Sequence, residues 1–361
     1  MKKRKVIYVM LITLSIALLF LSLFLFCLYK NKKSYTSLIY EAAIKMERVE
    51  VYLKERCIEK GMELVDEDIN STYLVGPDFT ELTSTPGDER EKRSTLNPYS
   101  AAAVTSMLLD AGLKKGDTIA IGASGSYPGF FLAALSAASE LDLKVKLILS
   151  LGSSMYGATR LQYNIFDIAR DARESGLIEY ELLGVSRGYK DDKGGSVLEG
   201  ILYNGTEELS LDICREEAER SGCILINPPT LQESIEERLR LFGEVKLFIN
   251  VGGAPVNIGD GTVSFSVPAG LVMEMDDVPK GEGRGVVYEY LDKGIPVINL
   301  LDSKGFSEKY NVEFDASPFP EIEKEPLGIS YLMMGIISLV LSITIITLSS
   351  IYYVRRKRDE V

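Results

Sequence analysis

The chain carries one long apolar run near each end. Val6–Tyr29 and Ile329–Val354 contain no charged residue, and Leu, Ile, Val and Phe dominate the first of them. A helix needs about 20 apolar residues to cross the hydrocarbon core of a bilayer. The pattern therefore predicts two transmembrane helices, with the lipid bilayer as one partner of the protein.

A cleaved signal peptide is the alternative interpretation of the first run. Its apolar core is longer than the usual ~7–15 residues, and no small-x-small cleavage motif follows it. Bulky Phe26 stands where a lipoprotein processing site needs a small residue, so we interpret Cys27 as a lipid-facing apolar side chain. We expect the first helix to be retained as an anchor.

The pattern changes after the first run. Apolar residues at three- and four-residue intervals predict an amphipathic stalk helix between residues 35 and 61. Residues 75–97 are rich in Gly, Pro, Thr and Ser and show no periodicity, which predicts a long loop. The predicted domain boundaries are therefore 1–33 for the basic N-terminus and anchor, 34–97 for the stalk and loop, 98–320 for the main domain, and 321–361 for linker, second anchor and tail.

Within 98–320, short β-branched runs alternate with helical segments. Strands are predicted at 118–121, 145–151, 224–226, 245–251 and 295–301, and helices at 101–111, 128–141, 165–175, 207–221, 230–242 and 285–293. Such alternation is typical of a mostly parallel sheet with helices on both faces. We predict an α/β fold with a doubly wound, Rossmann-like sheet, flanked by one N-terminal and one C-terminal transmembrane helix.

The distribution of Lys and Arg predicts the orientation, because these residues accumulate on the cytoplasmic side. Four bases follow the second run at 355–358, whereas 321–326 before it has one Lys and three Glu. Two spans place both termini on the same side. We therefore predict a two-pass protein of the cell membrane with cytoplasmic termini and an extracytoplasmic main domain.

Charge and composition exclude several function classes. Residues 34–328 hold 29 Lys and Arg against 50 Asp and Glu, a net charge of −21, which disfavours nucleic-acid binding. The chain contains no His, which removes His-based nucleophile systems and most zinc sites, and no cofactor or metal is predicted. A Cys214–Cys223 disulfide and three buried thiols, counting Cys57, remain alternatives.

Gly, Ser and Asn cluster where the predicted strands end. Ligand clefts of doubly wound sheets lie beyond the carboxyl ends of the strands, and a turn that leads into a helix favours an anion such as a carboxylate or phosphate. Loop bases would assist it. The predicted ligand-binding residues are Gly122, Ser124, Gly125, Ser126, Gly152, Ser153, Ser154, Asn227, Gly252, Gly253, Lys92 and Arg93.

Ser124 is the single candidate for catalysis. It lies in a Gly-x-Ser-x-Ser pattern that is similar to a nucleophile elbow, and without His its general base would have to be Lys, Asp or Glu. Arg160, Arg187 and Arg284 are further bases in or near the same loops, although most loop bases simply remain solvated.

Several separated motifs, in one order, resemble the poly-γ-glutamate system protein family. They are Gly76-Pro77 with Thr80, then Thr83, Thr85 and Gly87, Lys92-Arg93, Asn97-Pro98, Lys115-Gly116-Asp117, Gly122 to Ser126, Gly152-Ser153-Ser154 and Gly252-Gly253-Ala254. The resemblance covers most of the main domain and implies an accessory component of polymer synthesis or export, for a capsule or a released polymer. Its implied partners are the other membrane proteins of that system, with a polymer end or small anion near Ser124.

Two alternatives to an accessory role remain at this stage. One is an extracytoplasmic γ-peptide or amide hydrolase that uses Ser124. The other is a phosphosugar-binding protein similar to sugar isomerases, although phosphosugars are mostly cytoplasmic.

Overall fold

The structure is a computed structural model that describes residues 2–261, 266–281, 283–322 and 329–359 of the 361-residue chain. The chain divides into two compact units: Met1–Leu38 with Glu323–Val361 form the anchor unit, and Ile39–Ile322 form the main unit. Residues 323–328 of the predicted linker lie outside the described residues.

The helices are α1 (Lys2–Glu59), α2 (Glu89–Thr95), α3 (Tyr99–Asp110), α4 (Pro128–Glu140), α5 (Ile165–Glu174), α6 (Thr206–Ser221), α7 (Leu231–Phe242), α8 (Pro255–Ile258), α9 (Val286–Asp292), α10 (Ser303–Tyr310) and α11 (Ile329–Asp359).

The anchor unit contains two helical stretches that are apolar enough to cross a membrane. They are Val9–Tyr29 in α1 and Leu332–Arg355 in α11, with mean hydropathies of 2.8 and 2.3. Buried serines join the two helices: Ser22 Oγ donates to the Gly335 carbonyl at 2.9 Å, and Ser342 Oγ donates to the Ser15 carbonyl at 2.8 Å. Small hydroxyl residues of this kind are common where apolar helices pack together, because they allow close approach and satisfy their own polar group.

The main unit is built on a seven-stranded sheet. The strands of the unit are β1 (Thr83–Thr85), β2 (Thr118–Ser124), β3 (Lys144–Ser150), β4 (Ser153–Ser154), β5 (Thr159–Arg160), β6 (Tyr163–Asn164), β7 (Glu181–Ser186), β8 (Ile224–Leu225), β9 (Phe248–Val251), β10 (Gly270–Val272) and β11 (Val297–Leu300). The sheet order is β10-β11-β9-β2-β3-β7-β8. Every pairing in it is parallel except that of β10 with β11, so the predicted α/β fold with a mostly parallel sheet is confirmed.

Strand β2 lies between β3 and β9 and brings their carboxyl ends together. Ser124 is in register with Ser150 of β3, and Ala123 with Val251 of β9. Six of the seven β2 residues are buried, as expected for a parallel strand covered on both faces. Helix α4 follows β2 at once, with Pro128 at its first position, where the missing N–H costs no hydrogen bond.

Residues 75–97 differ from the predicted long loop. They contain β1, which pairs in parallel with β4, and the helix α2. The Asp88 carboxylate accepts a hydrogen bond from the Arg90 N–H and caps α2. Seven mostly polar residues are too short to show a helical period, so the hydrophobic pattern did not reveal α2. Strands β7 and β10 also escaped prediction.

Candidate functional site

A cleft of about 540 Å³ lies at the carboxyl ends of β2, β3 and β9. Six of the predicted ligand-binding residues line it: Lys92, Ser124, Ser126, Gly152, Ser154 and Gly253. Other residues of the lining are not among the predicted ligand-binding residues; they include Ser84, Gly87, Glu91, Tyr127, Tyr189, Lys190 and Asp260. The carboxyl ends of these strands form one side of the cleft, and two connecting segments form the rest of its wall.

The remaining predicted glycines pack the strand ends against one another. A Cβ on Gly252 would lie 2.3 Å from Ser124 Oγ, and one on Gly122 would lie 2.8 Å from Asn257 Nδ2. A Cβ on Gly125 would lie 2.9 Å from the Cβ of Ser153, whose hydroxyl donates to the Gly125 carbonyl at 3.0 Å. Gly122, Gly125, Ser153 and Gly252 therefore form the packing beneath the cleft, since none of them is among its lining residues.

Helix α2 carries Lys92, whose side chain lines the cleft. The side chain is 2% exposed, and its Nζ donates to Ser154 Oγ at 2.7 Å and lies 3.5 Å from the centre of the Tyr127 ring. No carboxylate oxygen of the described residues lies within 4.0 Å of this nitrogen. Burial lowers the pKa of Lys92 to about 7, because a buried ammonium loses its hydration without gaining an acid as partner.

Close backbone contacts hold α2 in this position. A Cβ on Gly129 of α4 would lie 2.4 Å from the Thr95 carbonyl oxygen, so only glycine lets α4 approach the end of α2 this closely. Gly87 has the same role beside the lysine, where a Cβ would lie 2.8 Å from the Met155 carbonyl oxygen and 3.3 Å from Lys92 Cε. The position of the Lys92 amine is thus fixed by the fold.

The surroundings of Ser154 orient its hydroxyl toward Lys92. Ser154 follows β3 on the short strand β4, and its N–H donates to Ser126 Oγ at 3.1 Å. Within the described chain, Lys92 Nζ is the one hydrogen-bonding partner of Ser154 Oγ. Next to this pair, the Tyr127 hydroxyl donates to Glu91 at 2.7 Å, and burial raises the pKa of Tyr127.

A strained loop forms the opposite wall. Tyr189 and Lys190 line the cleft, and Tyr189 has a φ of 61°, which side-chain-bearing residues rarely adopt. Lys190 is exposed, and no ion pair of its side chain occurs among the described residues. Asp192 holds the loop, because its carboxylate accepts hydrogen bonds from the Gly188 N–H and the Ser186 hydroxyl, at 2.9 and 2.8 Å, and contacts Arg238 at 3.2 Å.

The other predicted bases have structural partners. Arg93 makes a two-pronged ion pair with Asp315, at 2.7 and 3.0 Å. Arg160 donates to backbone carbonyls, Arg187 donates to the Asn227 side chain at 2.7 Å, and Arg284 pairs with Glu289. Neither Arg93 nor Asn227 lines the cleft.

Ser124 lines the cleft but has no general base beside it. Its Oγ accepts a long hydrogen bond, 3.5 Å, from the Ser126 N–H, and no Lys, Asp or Glu side chain of the described residues hydrogen-bonds to it. Ser154 is the serine that the fold places beside a basic side chain. Lys92 and Ser154 are both among the predicted ligand-binding residues, but the sequence carries no signal that they meet, because they are 62 positions apart and Lys92 lies in a segment predicted as a loop.

The thiols and the comparisons add no further assignment. No disulfide forms among the described cysteines, so the alternative of a Cys214–Cys223 bridge is wrong, and Cys57 and Cys214 are buried. No group of three or more Cys, Asp or Glu in the described chain is arranged to hold a metal ion. No family model, curated protein or solved structure matches this chain.

Proposed function

We propose that this protein is a membrane-anchored accessory component of γ-linked polyglutamate synthesis or export, and that its cleft binds a carboxylate-bearing group such as a polymer end. The observation that carries the binding role is a pair of lysines that have no acid partner among the described residues, the buried Lys92 and the exposed Lys190 of one cleft. The polymer assignment is supported by the sequence resemblance described above.

The negative net charge of the main domain limits where the polymer can bind. Residues 34–328 carry a net charge of −21, and screened repulsion between exposed charges extends over a Debye length of about 8 Å at physiological salt. A long polyanion is therefore repelled by most of the surface. A chain end that enters the cleft meets Lys190 and the Gly- and Ser-lined strand ends, so contact with the polymer is confined to the cleft.

The strand order supports a doubly wound, Rossmann-like arrangement as part of this proposal. From β2 the sheet grows through β3, β7 and β8 on one side, and the chain then returns to add β9 and β11 on the other. Ligands of such sheets bind where the direction of winding changes, which is between β2 and β9. Ser124 and Gly253 lie at that point, and both line the cleft.

We also propose cytoplasmic termini and an extracytoplasmic main unit, on the strength of the four bases at 355–358. An impermeant protease added to intact cells would then digest the main unit while a tag at either terminus stays protected. Digestion of the tags with an intact main unit would contradict this orientation.

Binding is tested on the full-length protein in detergent micelles, with γ-linked glutamate trimer as the probe and calorimetry as the measurement. We expect Lys92→Met combined with Lys190→Met to weaken binding at least about 10-fold, since one charge-assisted hydrogen bond contributes ~1.5–3 kcal/mol. The matched control is Lys114→Met with Lys115→Met, two exposed lysines outside the cleft lining, which should bind as the wild type does.

The other outcomes contradict parts of the proposal. Equal affinities of the two double variants for the trimer would show that the cleft is not the binding site. A hexose phosphate that binds more tightly than the trimer would favour the phosphosugar interpretation instead. In the native host, unchanged polymer length and yield after deletion of the gene would contradict the accessory role.

A further inference from the structure

The contact between Lys92 and Ser154 has the geometry of a base and a nucleophile. The two side-chain atoms are 2.7 Å apart, both residues are at least nine-tenths buried, and both line the cleft. An amine near a serine hydroxyl activates it only if the amine can accept a proton. Structural lysines usually meet an acid, whereas this one meets a hydroxyl and an aromatic ring.

We propose that Ser154 and Lys92 form a serine–lysine acyl-transfer pair, with Ser154 Oγ as the nucleophile and Lys92 Nζ as the general base, acting on an amide whose acyl side carries a carboxylate. The pair itself is independent of the function proposed above, whereas the choice of a γ-linked glutamyl amide as substrate rests on it. Lys190 on the cleft rim would bind the substrate carboxylate, and the amide carbonyl would lie over Ser154.

The reaction balances with water as the co-reactant. Ser154 Oγ attacks the amide carbon while its proton passes to Lys92 Nζ, and the carbon–nitrogen bond then breaks as Lys92 returns that proton to the leaving amine. Water, deprotonated by Lys92, attacks the resulting ester, which breaks the acyl–oxygen bond and returns the proton to Ser154. The products are one carboxylic acid and one amine.

Two further features support such a reaction: the lowered pKa of Lys92 and the N-terminus of helix α4. The lowered pKa of Lys92, about 7, means that a large fraction of the amine is neutral near neutral pH. Helix α4 begins directly after cleft residues Ser126 and Tyr127, and no side chain caps its first turn. The positive end of that helix favours the negative charge that develops on the carbonyl oxygen.

The test uses full-length protein in detergent and a fluorophosphonate probe, which phosphonylates activated serines with loss of fluoride. We expect one label at Ser154, located by peptide mass spectrometry, with a labelling rate that rises with pH through about 7, the pKa of Lys92. Ser154→Ala should abolish labelling. Lys92→Met should slow it at least about 100-fold, the usual contribution of a general base.

Controls separate a catalytic pair from a structural contact. Ser136→Ala removes an equally buried serine of α4 outside the cleft lining and should label at the wild-type rate. Lys92→Arg keeps a cation but cannot act as a base near neutral pH, so it should be as slow as Lys92→Met. Labelling at Ser124, no labelling of the wild type, or equal rates for wild type and Lys92→Met would each overturn the proposal.

The substrate is tested separately by release of free amine from γ-linked glutamate oligomers. Release that depends on both Ser154 and Lys92 supports the substrate assignment. A Lys92-dependent label at Ser154 with intact oligomers would overturn that assignment and leave the pair established. Oligomer binding without any label would overturn the pair and leave the proposed binding function in place.

Discussion

Two of the buried cations in the main unit, Arg238 and Lys92, are held in opposite ways. Arg238 is 1% exposed and lies 3.2 Å from the Asp192 carboxylate, with the hydroxyls of Ser150 and Ser186 as further hydrogen-bond partners. Lys92 is 2% exposed and has one hydroxyl partner and a tyrosine ring. The Asp192 carboxylate neutralises the charge of Arg238, whereas the side chain of Lys92 lines the cleft.

This difference indicates a structural role for Arg238 and a functional role for Lys92. Asp192 ties Arg238 to the loop that carries Tyr189 and Lys190, so the paired cation stabilises one wall of the cleft. Burying an unpaired cation costs free energy and perturbs its pKa, and groups of this kind concentrate at functional sites. The comparison therefore predicts that removing the two cations changes stability in opposite directions.

The largest expected effect is that of Arg238→Met. It leaves the Asp192 carboxylate buried without its cation, which costs roughly 3–5 kcal/mol of unfolding free energy. Unfolding of the full-length protein in detergent can be followed with a thiol-reactive dye, because Cys57 and Cys214 are both 0% exposed until the main unit opens. The control is Arg240→Met, which removes an exposed ion pair with Glu237 and should change stability by less than about 1 kcal/mol.

The next effect has the opposite sign. Lys92→Met replaces a buried amine by an apolar side chain of similar length, and we expect the unfolding free energy at pH 6 to rise by roughly 1–3 kcal/mol. The same dye assay measures it. A loss of stability comparable to that of Arg238→Met would show that Lys92 is a structural residue and would remove the contrast.

The pH dependence of stability sharpens this second prediction. Folded Lys92 has a pKa of about 7, below the ordinary lysine pKa of 10.5, so between these values the unfolded chain binds the extra proton. Stability contributed by this residue therefore rises with pH from about 7 toward 10 and is lowest below 7. Lys92→Met should lose that slope, while Arg240→Met should keep it.

The smallest expected effect concerns the tyrosine ring above Lys92. Tyr127→Leu removes a cation–π contact worth up to about 2 kcal/mol when desolvated, so the midpoint of the pH profile for Ser154 labelling should shift downward by up to about 1.5 units. Tyr127→Phe keeps the ring 3.5 Å from the amine and should leave that midpoint in place. Identical midpoints for Leu and Phe would show that the ring does not stabilise the ammonium.

The sequence predicted much of the fold because its signals are local. Uncharged runs predicted the terminal helices, and β-branched runs predicted five strands of the sheet. Gly- and Ser-rich strand ends gave the location of the cleft, since parallel strands bring their carboxyl ends to one edge. Helix α2 was missed because seven residues with several charges show no apolar period.

What the sequence by itself determined was the alternation of strands and helices, the two apolar end segments and the acidity between them, since each depends on residue type and spacing alone. Only the tertiary structure decided which loop base reaches the cleft and which serine it meets. Adjacent residues Lys92 and Arg93 have equal charge in the sequence, yet one side chain turns to Ser154 and the other to Asp315. That choice depends on how α2 packs against α4 and β4, contacts between residues distant in the chain.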